Sequence, residues 1–206
     1  MTGSKKLLWR CFAAMLLAQV GVYYITRLLL AHAAHHDLTT SLDRMIPFIP
    51  AWVTVYFLAF VSWIVNGFLI LRESREHALE FTRSYVIAML LTGVVFLLYP
   101  GVIEWPEVTG NSFFDRWVRF LYQHDEPNNL CPSMHVIASY FCWRGTLGCR
   151  RIPKWYQFAS FCMLVLVCLS ILFVKQHALV DIPAAVLVSE VALMLGKRWP
   201  PSKKRR

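Results

Sequence analysis

Six stretches of predominantly apolar residues, at about 7–30, 46–71, 85–103, 134–149, 156–174 and 178–195, take up most of this chain. Each is bounded by charged or by Pro- and Gly-containing segments. A hydrocarbon layer about 30 Å thick is crossed by about 20 residues of helix at 1.5 Å each. With 57% hydrophobic and only 16% charged residues, the chain lacks the polar surface of an ordinary soluble domain. The pattern predicts an integral membrane protein of all-α class: a single six-transmembrane-helix bundle over residues 1–206, with loops too brief for a second domain. Lys5 and Lys6 precede the first run and Ala31-His32-Ala33 resembles a cleavage site. The run is longer than the apolar core of a signal peptide, so it is expected to stay as a helix.

Basic residues set the expected orientation. Six crossings place 16 of the 21 Lys and Arg on one side, in the two ends of the chain and the loops after the second and fourth runs. By the positive-inside rule these segments, with both termini, are cytoplasmic. The other loops hold Arg27, Arg44, Arg116, Arg119 and Lys175 with most of the acids, among them Asp43, Glu104, Glu107, Asp125 and Glu126, and face the outside or a lumen. The net charge of +9 thus reports orientation and attraction to anionic membrane lipids. It implies no nucleic acid, which would want a soluble basic face. The six cysteines lie mostly inside apolar runs without CxxC spacing and read as small packing residues. Only Cys131 sits beside a motif.

Two polar clusters fall on the same outer side. Pro132, Ser133 and His135 open the fourth run; Lys175, His177 and Asp181 open the sixth. Proline suits the first turn of a helix, and serine there serves the free backbone N–H groups. Those groups and the positive end of the helix dipole attract phosphate, to which Ser133 adds a hydroxyl. His177 and Asp181, four apart, share a face if both are helical, so the carboxylate can hold one imidazole nitrogen and leave the other as lone-pair bearer. His177 is then the candidate nucleophile toward phosphorus, Asp181 its orienting partner, and His135 the candidate acid for the departing oxygen. This chemistry requires no metal and no cofactor.

Cys131-Pro132-Ser133-Met134-His135 followed by Lys175-Gln176-His177 and Asp181 resembles the type 2 phosphatidic acid phosphatase superfamily, and within it the branch of inositol phosphorylceramide synthases. The resemblance implies a six-helix membrane enzyme with an extracytoplasmic site that hydrolyses lipid phosphates or transfers phosphorylated head groups. It implies the same roles for His177, Asp181 and His135, with Ser133 as a phosphate ligand. Three cations of the family pattern are missing. Leu98 stands where its first lysine would be, Trp105-Pro106 replaces Arg-Pro, and Ser170-Ile171 replaces Ser-Arg. A partly desolvated anion still needs compensating charge. Lys175, Arg116 and Arg119 are the candidates to supply it.

Other polar features have plainer readings. His32, His35, His36 and Asp37 suggest metal ligands, but a polar first loop produces such spacing by chance. Glu190 is expected at the cytoplasmic interface near Lys197, and Lys203, Lys204, Arg205 and Arg206 form an ordinary basic tail. The leading expectation is a phosphatase acting on a phospholipid or isoprenoid phosphate through a phosphohistidine. The alternatives are a head-group phosphotransferase and a non-catalytic relative that keeps the bundle.

Overall fold

The computed structural model describes residues 2–125 and 129–198. Glu126 and the tail Lys203, Lys204, Arg205 and Arg206 lie outside the described residues. The helices are α1 (Thr2–Leu29), α2 (Ser41–Met45), α3 (Val53–Leu71, preceded by a 3-10 turn over Pro50–Trp52), α4 (Arg75–Leu98), α5 (Phe113–His124), α6 (Met134–Thr146), α7 (Lys154–Phe173) and α8 (Asp181–Arg198). A two-residue parallel pairing of β1 (His36–Asp37) with β2 (Gly101–Val102) is the strand content of the described residues. The fold is all-α, and six of its helices follow the six apolar runs.

Among the described residues, four segments are long and apolar enough to cross a membrane: Lys5–Leu29, Pro50–Leu71, Arg75–Leu98 and Lys154–Phe173. Helix α6 has 13 residues, which at 1.5 Å each reach only about 20 Å. Helix α8 carries Asp181, Glu190, Lys197 and Arg198.

Two helices depart from the expected bounds for local reasons. Helix α4 begins ten residues before the third run because Ser74 caps it, its Oγ accepting the His77 N–H at 3.1 Å. It ends at Leu98 rather than 103, because Pro100 disfavours helical geometry at Tyr99 and the chain leaves extended toward β2. The sixth run was expected to be helical from 178. Instead His177 and Ala178 lie in an irregular turn, and α8 starts at Asp181.

Helix α4 packs between α1 and α8, while α6 lies against α3, α7 and α8. Phe96, Met89, Ile137, Phe141 and Ile171 are fully buried between them. The α4–α8 crossing is close: a Cβ on Gly196 would sit 3.0 Å from the Ser84 Cα. Polar side chains join helices where lipid removes the usual hydrophobic drive. Trp63 Nε1 donates to Ser139 Oγ at 2.9 Å, and Ser160 Oγ donates to Asn66 Oδ1 at 3.1 Å. The outer faces remain apolar, with Leu17, Leu28, Ile64, Leu90, Phe158 and Leu187 exposed. A belt of this kind calls for an apolar surrounding.

The loops segregate to two ends. At one, the Arg150 and Arg151 N–H groups donate to the Glu73 carboxylate, joining the α3–α4 turn to the α6–α7 loop. Glu190, in α8, accepts from Arg144 Nε at 2.9 Å and from the Tyr140 hydroxyl. At the other end the first, third and last loops meet. The Ile49 N–H donates to Phe173 O at 2.9 Å, and the His36 N–H to Pro100 O at 2.8 Å.

Candidate functional site

The two polar motifs converge at this second end. Ser133 caps α6, its Oγ accepting the Val136 N–H, and its own N–H reaches the Asp181 carbonyl at 3.4 Å. That bond ties the start of α6 to the start of α8. Cys131 lies beside Asp181, and burial together with that carboxylate pushes its thiol up to about 12.

The turn before α8 is built by the end of α7. The Lys175 N–H donates to Leu172 O at 3.2 Å and the Gln176 N–H to Ile171 O at 2.8 Å. This paired pattern closes a helix through a residue in the left-handed region. Lys175 occupies it with φ 55°, where glycine is usual and another residue carries about 1–3 kcal/mol of strain. The chain then delivers His177 and returns the Asp181 carboxylate over it. Asp181 Oδ2 lies 2.9 Å from His177 Nδ1 and accepts the Ala178 N–H at 3.1 Å. The pairing expected along one helix face is made instead by a capping turn.

Both residues are buried, Asp181 completely. A carboxylate only accepts, so Nδ1 of His177 carries the hydrogen and Nε2 keeps its lone pair. That Nε2 lies 3.4 Å from Nδ1 of His135. For the two nitrogens to attract, His135 Nδ1 must be the donor. Asp181, His177 and His135 therefore form a chain in which each proton points toward the carboxylate. The rings of Tyr56, Trp63 and Phe60 pack around His135 with centroids 4.6, 5.6 and 6.0 Å away.

His177 lines a cleft of about 560 Å³ together with Asp43, Arg44, Glu104, Trp105 and Lys175. Lys175 Nζ donates to Asp43 O at 2.7 Å and to Ile46 O, at the end of α2. Partial burial holds its ammonium below the 10.5 of an ordinary lysine, against the pull of Asp43. Asp43 is buried and connects the first loop to the site: its Oδ2 accepts the Thr40 N–H and its Oδ1 the Leu179 N–H at 2.7 Å. Trp105 stacks on Tyr122 at 4.0 Å, and Glu104 and Glu107 complete that wall.

The structure thus brings together His135, His177, Asp181, Ser133 and Lys175. Ser133 is fully buried and serves the α6 cap; it does not line the cleft. Arg116 and Arg119 also stay outside the lining. Arg116 is exposed on α5, and the Arg119 guanidinium donates to the carbonyls of Val108 and Gly110. A different cation, Arg44, lines the cleft, and sequence reasoning passed it over. Thr40-x-x-Asp43 has capping-box spacing and forms one in α2, where Arg44 follows Asp43, but that spacing marks a helix start and not the cleft. Among the described residues no three His, Cys, Asp or Glu side chains meet as metal ligands.

No protein-family model, no curated protein and no solved structure matches this chain.

Proposed function

We propose that the protein is a membrane-embedded phosphatase that hydrolyses a phosphomonoester or pyrophosphate of a phospholipid or isoprenoid lipid, in the manner of the type 2 phosphatidic acid phosphatases. The observation that carries this reading is the Asp181–His177–His135 chain, of which His177 lines a cleft that also holds Arg44 and Lys175. In the proposal α6 and α8 complete a six-helix crossing, both termini are cytoplasmic, and the cleft opens on the extracytoplasmic side, as the distribution of Lys and Arg supports.

His177 Nε2 attacks phosphorus while the P–O bond to the lipid breaks; His135 acts in its imidazolium form, gives one proton to the departing lipid alcohol and is left as neutral imidazole. A water then attacks the phosphohistidine. His135 takes its proton, the P–N bond breaks, and inorganic phosphate leaves with His177 restored. In-line attack puts the departing oxygen on the far side of phosphorus from His177, so His135 swings away from Nε2 as the phosphoryl group enters. Asp181 stabilises the positive charge that the His177 ring acquires, and Arg44 and Lys175 offset charge on the phosphoryl oxygens.

One observation favours transfer rather than hydrolysis as a second reading. Glu104, Glu107 and Trp105 line the same cleft, a surface suited to the cationic amine of a zwitterionic head group. In that case a lipid alcohol replaces water in the second step. Purified protein given a panel of lipid phosphates is expected to release inorganic phosphate, and His177→Ala to abolish it. Labelled head group appearing in a new lipid, without free phosphate, selects transfer. Equal turnover by His177→Ala and wild type overturns both.

A further inference from the structure

A second cavity, of about 310 Å³, runs down the bundle between α6, α7 and α8. Its wall is apolar throughout, with Val136 and Trp143 from α6, Phe161, Cys168 and Leu172 from α7, and Ile182 from α8. The one phenol on it, Tyr140, turns its hydroxyl away to Glu190. Three of these residues connect it to the site. Val136 follows His135 in the chain, Ile182 follows Asp181, and Leu172 lines both this cavity and the polar cleft.

The dimensions select the occupant. From Leu172 to Phe161 the groove follows α7 for eleven residues, about 16 Å at 1.5 Å each, the extended length of about a dozen methylenes. A volume of 310 Å³ holds a similar number of methylenes and has no room for two chains side by side. The geometry points to a binding groove for one hydrocarbon chain of the lipid phosphate. The phosphate sits at His177, the chain passes Leu172, and its end lies between Trp143 and Phe161. This rests on the lipid-phosphate reading of the cleft and adds that one chain is held by the protein, while any second chain stays in the bilayer. The exposed apolar faces of α1 and α3 also meet lipid, but they are not joined to the cleft by a shared residue.

The test uses the whole protein in nanodiscs and two dodecyl phosphates, with a photoactivated diazirine at carbon 3 or carbon 10. The carbon-3 probe is expected to label Val136, Leu172 or Ile182, and the carbon-10 probe Trp143 or Phe161. A tenfold excess of unlabelled dodecyl phosphate should remove most of both labels. Label spread over Leu17, Leu28 and Leu58, unaffected by competitor, overturns the groove whether or not lipid phosphate is hydrolysed. Ordered, competed label without turnover of any lipid phosphate keeps the groove as a binding site and removes the phosphatase reading instead.

Discussion

Asp181 offers the sharpest perturbation, because one carboxylate oxygen serves two donors in a fully buried position. Asp181→Asn keeps the shape, and its amide oxygen can still accept from His177 Nδ1 and from the Ala178 N–H. The tautomer of His177 is therefore preserved, and what is lost is charge. At the observed 2.9 Å, a carboxylate facing the cationic ring formed on attack gains about 6 kcal/mol at an effective dielectric of 20. A neutral amide dipole recovers roughly half of this, leaving a deficit of about 3 kcal/mol, which is about 10²-fold in rate at 1.36 kcal/mol per decade. Asp181→Ala removes the acceptor as well, frees the ring to turn, and is expected to lose about 10³-fold or more. Phosphate release under saturating lipid phosphate gives kcat, and a thermal melt of the purified protein shows whether each variant is folded. The deficit belongs to the transition state, so KM should move little. Asp181→Asn within threefold of wild type, with an unchanged melt, refutes the role assigned to the carboxylate.

Two further substitutions address the charge in the cleft. Arg44→Ala is expected to lower kcat/KM by about tenfold to a hundredfold through the loss of one phosphate-facing cation, while Arg119→Ala, outside the cleft, changes it less than threefold; equal effects in phosphate-release assays would contradict the placement of Arg44. Lys175→Gly relieves the left-handed strain but forfeits the bonds from Nζ to Asp43 O and Ile46 O, so the melting temperature is expected to shift by no more than a few degrees while activity falls; full activity in phosphate-release assays would contradict the placement of Lys175 in the cleft.

Much of the site was legible because its parts are local. Pro132-Ser133 reads as a helix start and becomes one, and His177 and Asp181 pair at the spacing that suggested it. What the spacing could not convey is that the pair forms in a turn. The two successive bonds back to Ile171 and Leu172 depend on how α7 ends, and a lysine at the left-handed position hides the glycine signal that would have marked that end. Helix α5 was missed for a different reason: it is amphipathic and short, so it does not stand out as an apolar run. Ser112 and Asp115 form a capping box that carries its start. Arg44 was the least legible. Its place depends on Asp43 reaching 136 residues along the chain to the Leu179 N–H, and no local pattern encodes such a contact.

That contact bears on how this site handles an anion. The cleft holds Arg44 and Lys175 against Asp43, Glu104 and Glu107, so its charges do not sum to an attractive field. Discrimination must come from arrangement. Asp43 is buried in the wall and accepts the Thr40 and Leu179 N–H groups. Glu104 and Glu107 are exposed, on the segment after β2. In the proposed reading an entering phosphate meets the two cations and the His177 lone pair, with these carboxylates in the same lining. These carboxylates repel the phosphoryl group, whereas a positive group on the substrate is drawn to them. A dianionic lipid phosphate meets the repulsion alone, whereas the amine of a zwitterionic head group is also attracted. Glu104→Gln together with Glu107→Gln thus separates the hydrolytic and transfer readings by sign, favouring a simple lipid phosphate and disfavouring an amine-bearing one.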